Sequence, residues 1–358
     1  MRILYINYID SSKLLSGSSV RPARILQALK NTGHEILALT GSQVDKSRKA
    51  NIKKIRNEIK KNPPDICYIE SPTYPIMHHE DRSLIKELHI KNIPIGYFYR
   101  DFYRKFPDQF PRKKGLIGKI KDYGLDLLQY LTDRTLKYCD IVYFPSLEAT
   151  EFFDYKEMKP LPPAGENHIQ RKKIVNHVGI YVGGVVEPYD STLLLDSFMI
   201  LHQQDPTYRL ILVCRKEEWE KVDHPFKNES WLEVHHASGS ELIPLYERAS
   251  IAFVMPDSHY PYNQFAVSVK TFEYISYGLP VVAVNCRALK NMVEREQIGL
   301  AIVPNATSFV EAVKDILFDQ TAYDKWQEKV KEALCERNLW KHRVETIIDD
   351  LTRVKNKQ

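Results

Sequence analysis

Lys270 and Glu273 stand three positions apart in the stretch VKTFEYISYGLPVVA, residues 269–283. On a helix this spacing puts both side chains on one face, one turn apart. An ammonium that reaches phosphate and a carboxylate that accepts from a sugar hydroxyl would together suit a nucleotide diphosphate. The alternative is a solvated lysine beside an acid that is favoured at a helix N-terminus. We predict that the pair binds a nucleotide diphosphate.

The elements around this pair place it at the edge of a sheet. Phe272 and Ile275 lie at helical spacing, Gly278 can end the helix in a left-handed conformation, and Pro280 prevents its continuation. The apolar run 281–284 does not alternate, which is typical of a parallel strand covered on both faces. The helix therefore begins at the carboxyl edge of the sheet, where open α/β sheets bind ligands.

The motif Lys-x-x-Glu-Tyr followed by Gly-Leu-Pro-Val-Val resembles the donor site of GT-B glycosyltransferases, particularly the family-4-like bacterial enzymes of surface (capsular and exo-) polysaccharide assembly. The resemblance spans most of the chain and implies an α/β fold of two Rossmann-like domains facing across a cleft. It also implies that Lys270 faces the donor pyrophosphate and that Glu273 takes the ribose hydroxyls. Many members carry a glutamate eight positions before Glu273 that touches the donor sugar, and here Phe265 stands in its place.

Length and composition favour a two-domain globular protein. The chain has 358 residues, of which 43% are hydrophobic and 27% charged. The Pro/Gly-rich joint at 161–168 predicts domains 1–165 and 166–358. A long terminal helix, about 321–352, is expected to return to the first domain, as the resemblance implies.

Three features predict a cytoplasmic location. No apolar run is long enough to span a bilayer, and the N-terminus reads as a buried strand instead of a signal peptide. The five cysteines are far apart, which argues against a disulfide framework and a zinc site.

Charge divides the chain unevenly. Residues 1–165 carry 28 Lys/Arg and 19 Asp/Glu, a net +9, and the remainder carries 23 and 27, a net −4. The first half is basic enough to lie against anionic lipid or a polyanion.

Aromatic and basic residues alternate between positions 102 and 121, as they do at membrane interfaces. The membrane candidates are Phe102, Lys105, Phe106, Arg112, Lys113 and Lys114. Binding of single-stranded nucleic acid is a second interpretation, but no nucleic-acid motif supports it. A solvated loop is the third.

The first half offers two further candidate groups. Gly17, Ser18 and Ser19 can present backbone N–H groups at a helix start, and Arg21 is either an anion ligand or a surface arginine. Arg100 and Asp101 follow a predicted strand, where a carboxylate beside an arginine could serve as a base or hold an acceptor hydroxyl. Alternatively, those two side chains pair with each other.

The second half repeats the strand-and-loop pattern. The glycines that follow its first strand could set backbone amides against phosphate, and strand-end cations and loop residues could meet the phosphate, the base or the sugar. For the arginine a surface position, and for the loop residues simple loop filling, are the alternatives. These candidates are Gly183, Gly184, Arg215, Lys216, Tyr262 and Asn263.

Together these observations predict a hexosyltransferase that uses a nucleotide-diphosphate sugar, with UDP as the expected nucleotide. The acceptor would be a saccharide or a lipid-linked sugar at the inner membrane face. No DxD acidic pair offers to hold a metal, so we expect catalysis that needs no metal or other cofactor. Asp101 would be the base if the reaction inverts, and would orient the acceptor if it retains. A nucleotide-sugar epimerase of the same fold and a non-catalytic partner subunit are the alternatives.

Overall fold

In a computed structural model the described residues are 1–9, 17–107, 109–110, 115–170, 177–186, 189 and 191–357. The chain divides into two compact units. Unit 1 comprises 1–162 with 340–358, and unit 2 comprises 163–339. The boundary predicted from the sequence, 165/166, lies three residues after the one observed, and the chain returns to unit 1 at 339/340, in the C-terminal region where a return was expected.

Unit 1 contains a parallel sheet in the order β2-β1-β3-β4-β5-β6. Its strands are β1 (Arg2–Ile6), β2 (Glu35–Leu39), β3 (Ile66–Glu70), β4 (Ile95–Phe98), β5 (Ile141–Phe144) and β6 (Met158–Pro160). The helices that connect them are α1 (Gly17–Lys30), α2 (Arg48–Lys61), α3 (His79–Ile90) and α4 (Leu116–Leu136). Strands β3, β4 and β5 are buried along their whole length, as expected for parallel strands covered on both faces, and the one charged residue among them, Glu70 at the end of β3, pairs with Arg21.

Unit 2 contains a second parallel sheet, in the order β12-β11-β10-β7-β8-β9. Its strands are β7 (Val178–Val182), β8 (Arg209–Val213), β9 (Leu232–His235), β10 (Ile251–Val254), β11 (Val281–Val284) and β12 (Gly299–Ile302). Its helices are α5 (Thr192–Gln204), α6 (Lys216–Trp219), α7 (Ile243–Arg248), α8 (Val269–Ser276), α9 (Arg287–Glu296), α10 (Ala306–Ile316) and α11 (Gln320–Arg337). This strand order is that of the dinucleotide-binding Rossmann fold. Two Rossmann-like α/β units were predicted, and both are present.

The C-terminal segment forms two helices instead of the single long helix predicted for 321–352. Helix α11 ends at Arg337, and α12 (Trp340–Lys355) belongs to unit 1, where it packs on α1, β3 and β4. Asn338 caps α11, because its side-chain amide donates to Glu296 Oε2 (2.9 Å) and to the Ala333 carbonyl (2.9 Å). The end of α11 is therefore stabilised by Glu296, which lies 42 residues away from Asn338 in sequence.

Candidate functional site

The topological switch point of unit 2 lies between β7 and β10. These neighbouring strands lead in opposite directions across the sheet, β7 toward β8 and β10 toward β11. In open α/β sheets, loops that leave such a pair of strands separate at their carboxyl ends and form the usual ligand site. The loop after β7 carries Gly183 and Gly184, and the segment after β10 leads into α8.

Hydrogen bonds fix helix α8 near its first residue and near its last turn. The Ser268 hydroxyl caps it by accepting from the Lys270 backbone N–H (3.2 Å). Farther along, the Tyr274 hydroxyl accepts from the Val182 N–H (2.9 Å), which ties the helix to the end of β7. Gly278 follows with φ 71°, the left-handed conformation predicted for it.

Lys270 and Glu273 lie together on the half-exposed face of α8, with 31% and 26% of their side chains exposed. The Lys270 ammonium is 2.6 Å from Glu273 Oε2, and the same oxygen accepts from the Tyr246 hydroxyl (2.9 Å). Burial and the Glu273 carboxylate hold the pKa of Tyr246 well above its ordinary value, so the phenol remains a donor. Tyr246, from α7, was missed by the sequence analysis because only the fold brings it here.

The two glycines after β7 are covered by aromatic rings. A Cβ on Gly184 would lie 2.3 Å from Cδ2 of Tyr189, and one on Gly183 would lie 2.7 Å from the Tyr181 hydroxyl. That hydroxyl donates to the Gly184 carbonyl (2.6 Å). The close approach of the rings explains why glycine is required, and a phosphate-binding role for these glycines stays a prediction.

Arg215 and Lys216 lie at the end of β8, where both are exposed. Arg215 pairs with Glu218 Oε1 (3.2 Å), while Glu218 Oε2 accepts from the Val185 N–H (3.2 Å). Glu218 thus joins the loops after β7 and β8. The position of the two cations at the carboxyl edge is compatible with phosphate binding.

Tyr262 and Asn263 belong to a single 3₁₀ turn, Pro261–Gln264, which precedes α8. The Asn263 amide donates to the Asp257 carbonyl (2.8 Å) and so stiffens the segment after β10. The Asp257 carboxylate accepts from the His259 N–H (2.8 Å). Asp257 follows a buried strand, as Asp101 does. The same signal in the sequence could therefore have identified Asp257 as a candidate site residue.

In unit 1, Asp101 follows β4 in a partly buried position. Burial raises the pKa of its carboxyl above the ordinary value, against the charge of Arg100 and a hydrogen bond from Tyr103. The Arg100 backbone N–H donates to the Ser71 hydroxyl (3.0 Å), which fixes the loop that carries both residues. A carboxylate with a raised pKa is suited to accept a proton.

Arg21 is buried, with 4% of its surface exposed, so the surface alternative for this residue is wrong. Its Nε donates to both carboxylate oxygens of Glu70 (3.0 and 3.2 Å), and its Nη1 donates to the Leu161 carbonyl (2.9 Å). The guanidinium also lies 3.5 Å from the centre of the Phe98 ring. These contacts pin α1 to β3, and an additional role in binding an anion stays a prediction.

Helix α1 begins at Gly17, and Ser19 is buried in its first turn. The backbone of Gly17 and Ser18 is helical there. Residues 10–16, which precede it in the sequence, lie outside the described residues.

The predicted membrane contact of Phe102 requires correction. Phe102 is 3% exposed and its ring packs against Phe106, Phe152 and Phe153, with ring centres 5.7 to 5.9 Å apart. Phe106 is half-buried, whereas Lys105 is exposed. The remaining basic candidates, Arg112, Lys113 and Lys114, lie outside the described residues.

None of the described helices is both long enough and apolar enough to span a bilayer. Within the described ranges, no group of three or more His, Cys, Asp or Glu side chains could hold a metal ion.

Comparison with known proteins supports the interpretation of the second half. Residues 176–319 match the family model described as glycosyl transferases group 1. A search of curated proteins found no match.

Several solved structures share the fold over both units. A glycosyltransferase from Rickettsia africae ESF-5 is 13% identical with a TM-score of 0.65, covering 99% of this chain and 98% of that one. WaaG, a glycosyltransferase involved in lipopolysaccharide biosynthesis, is 15% identical with a TM-score of 0.62, covering 98% and 99%. Alr3699/HepE from Anabaena, solved with UDP and glucose, is 14% identical with a TM-score of 0.60, covering 99% and 100%.

The comparisons confirm the predicted fold, which is that of the GT-B glycosyltransferases, and the family match over residues 176–319 agrees with the predicted class. The second unit of the chain carries the domain of glycosyl transferases group 1. The fold also occurs in a putative UDP-N-acetylglucosamine 2-epimerase from Listeria monocytogenes, which is 10% identical with a TM-score of 0.56, covering 100% of this chain and 97% of that one.

Proposed function

We propose that this protein transfers a hexosyl group from a UDP-linked donor to a saccharide or lipid-linked acceptor during polysaccharide assembly. The observation that supports this best is the pairing of Lys270 with Glu273 at the start of α8, beside the switch point. An ammonium and a carboxylate 2.6 Å apart can exchange their mutual contact for two ligand contacts. The ammonium would take the diphosphate and the carboxylate would take the ribose hydroxyls.

In the proposed reaction an acceptor hydroxyl oxygen bonds to the anomeric carbon of the donor while the bond from that carbon to the diphosphate breaks. UDP leaves with the bonding pair, and Lys270 stabilises the charge that develops on the departing diphosphate. The exposed cations Arg215 and Lys216 add positive charge at the carboxyl edge of the same sheet. We propose that these cations suffice and that the reaction needs no metal.

The proton of the acceptor hydroxyl must go to a base. Asp101 is our candidate if the anomeric centre inverts, because burial raises its pKa toward the range of a working base. If the centre is retained, Asp101 instead orients the acceptor, and an oxygen of the departing diphosphate takes the proton.

A lipid-linked acceptor would place the protein at the inner face of the cell membrane. A lipid-linked sugar is presented at a bilayer surface, and the net charge of +9 over residues 1–165 suits an anionic one. Peripheral association from the cytoplasm is therefore part of the proposal.

Two measurements test the donor assignment. A panel of nucleotide sugars should include one UDP-linked compound that raises the melting temperature, because a ligand that binds the native state stabilises it. Release of UDP should then require an acceptor saccharide. If neither UDP nor any UDP-sugar stabilises the protein, the proposed donor is wrong.

The structural similarity to a putative 2-epimerase gives a second candidate function. An epimerase would convert UDP-N-acetylglucosamine without an acceptor, so analysis of the products formed from that compound alone separates the two. A non-catalytic subunit would bind UDP yet release none from any UDP-sugar.

A further inference from the structure

Helix α4 presents large apolar side chains to solvent along most of its length. We call this set the α4 stripe, and its members share one side of the helix through spacings of three and four residues. They are Leu116 (77% exposed), Ile117 (72%), Ile120 (63%), Tyr123 (76%), Leu127 (53%) and Tyr130 (57%). These are six of the 16 exposed large hydrophobic residues in the described part of the chain, so exposure of this kind is concentrated on one helix.

The acidic residues of α4 make polar contacts within unit 1. Asp122 is 8% exposed, and Asp126 pairs with the Arg104 guanidinium. Asp133 accepts from the Gln129 amide (2.9 Å) and the Tyr155 hydroxyl (3.3 Å). Surface helices of globular proteins ordinarily bury the apolar face and expose the charged one. Helix α4 departs from this arrangement, since the α4 stripe is exposed although Leu136 is buried, and the polar contacts with the rest of unit 1 fix the helix in this orientation.

The exposed charges of α4 are cations. Every residue of this helix is described, and of its six charged side chains the three exposed ones are Lys119, Lys121 and Arg134. The outer surface of α4 therefore combines aliphatic side chains, tyrosines and positive charge. Aliphatic groups enter the acyl boundary, tyrosines settle at the headgroups, and lysines meet anionic phosphate.

We propose that α4 lies in the plane of an anionic bilayer and buries the α4 stripe at the headgroup boundary. The proposed function supplies only the partner, an anionic membrane, and the contact itself is assigned here to a different set of residues from the basic segment at 102–114. The charge on α4 decides between possible occupants. A second copy packed through the same face would bring Lys119 and Lys121 near their equivalents, whereas anionic lipid neutralises them.

Vesicle flotation with the full chain tests the proposal. The protein should bind phosphatidylcholine vesicles that contain phosphatidylglycerol more tightly than vesicles of phosphatidylcholine alone, and added salt should weaken binding. The double variant Ile120→Ser, Leu127→Ser should bind about 100-fold more weakly, roughly tenfold for each apolar side chain withheld from the bilayer. Ile90→Ser, Phe318→Ser is the matched control, since both residues are exposed (68% and 78%) and lie outside α4.

Stabilisation by UDP in the same variants separates this proposal from the proposed function. The α4 variant should keep the melting temperature and UDP response of the wild type, which also shows that it folds. Unchanged vesicle binding in that variant would overturn the assignment. So would a wild-type dimer in solution that the variant converts to monomers, because the stripe would then be an interface between copies. If the wild type binds vesicles but does not bind UDP, the proposed transferase function is wrong and the membrane assignment of α4 stands.

Discussion

The phenol of Tyr246 lies 2.9 Å from Oε2 of Glu273, and this contact holds the carboxylate in the orientation that faces Lys270. Glu273 is the proposed ligand of the ribose, so Tyr246 is a positioning residue that acts through it. A hydrogen bond to a charged group contributes about 1.5–3 kcal/mol.

Tyr246→Phe should raise KM for the UDP-sugar roughly tenfold while kcat stays near that of the wild type. The reason is that a ribose contact is equally strong in the ground state and the transition state. Steady-state kinetics with varied donor measures both constants. Tyr208→Phe is the control, since Tyr208 is also buried but precedes β8 at the opposite edge of the sheet. An equal fall in kcat and kcat/KM would show that Tyr246 does more than position Glu273.

Lys270→Ala should act mainly on kcat, whereas Tyr246→Phe acts mainly on KM. We expect kcat to fall by about two to three orders of magnitude, as when one transition-state donor is removed, because the ammonium meets charge that develops as the diphosphate leaves. Lys290→Ala removes a half-exposed lysine of α9, which lies 3.9 Å from Glu294, and should leave kcat unchanged. Near-normal turnover in Lys270→Ala would remove Lys270 from the mechanism.

Asp101→Asn should abolish transfer by an inverting enzyme and yet stabilise the fold. Burial raises the pKa of Asp101 in the folded state, so the native protein binds this proton more tightly than the unfolded chain. The contribution of this group to stability therefore falls as pH rises from the unfolded pKa to the folded one. Above that window the neutral asparagine should give the higher melting temperature.

The pH profile of kcat/KM provides the kinetic half of that test. In the wild type the acidic limb should lie above the ordinary aspartate pKa of about 3.9. A product of retained configuration, together with an unchanged limb in Asp101→Asn, would leave Asp101 as an orienting residue only.

Gly184→Ala should weaken UDP binding because the new methyl group would lie 2.3 Å from the Tyr189 ring and displace it. If that ring is the reason for the glycine, the double variant Gly184→Ala, Tyr189→Ala should recover most of the lost affinity. Isothermal titration with UDP measures all three variants, with Tyr189→Ala alone as the reference. Persistent loss in the double variant would instead assign the open face of Gly184 to phosphate.

Local sequence was sufficient to predict α8 and β11. The helical spacing of Phe272 and Ile275, the left-handed Gly278 and the unbroken apolar strand act over a few residues, and the structure contains each of them. The placement of Lys270 and Glu273 on one helical face follows from the same short-range rules.

What the sequence could not predict depends on partners that are distant along the chain. Arg21 is buried because it pairs with Glu70, 49 residues away, and Glu273 is oriented by Tyr246, 27 residues away. Phe102 was expected at a membrane because its neighbours are basic, but rings at 152 and 153 enclose it. The apolar residues of α4 are evident in the sequence, whereas their outward direction is known only once Asp122 is seen to be buried and Asp126 to pair with Arg104.

Unit 2 is inserted into unit 1, and the ends of each unit meet. In unit 2 the Gly165 N–H donates to the Asn338 carbonyl (2.8 Å), and in unit 1 the Arg343 guanidinium donates to the Pro162 carbonyl (2.9 Å). A gene fragment for 163–339 should therefore encode a self-contained domain that tolerates circularisation, and a short peptide bridge should be enough to reseal the remainder of the chain.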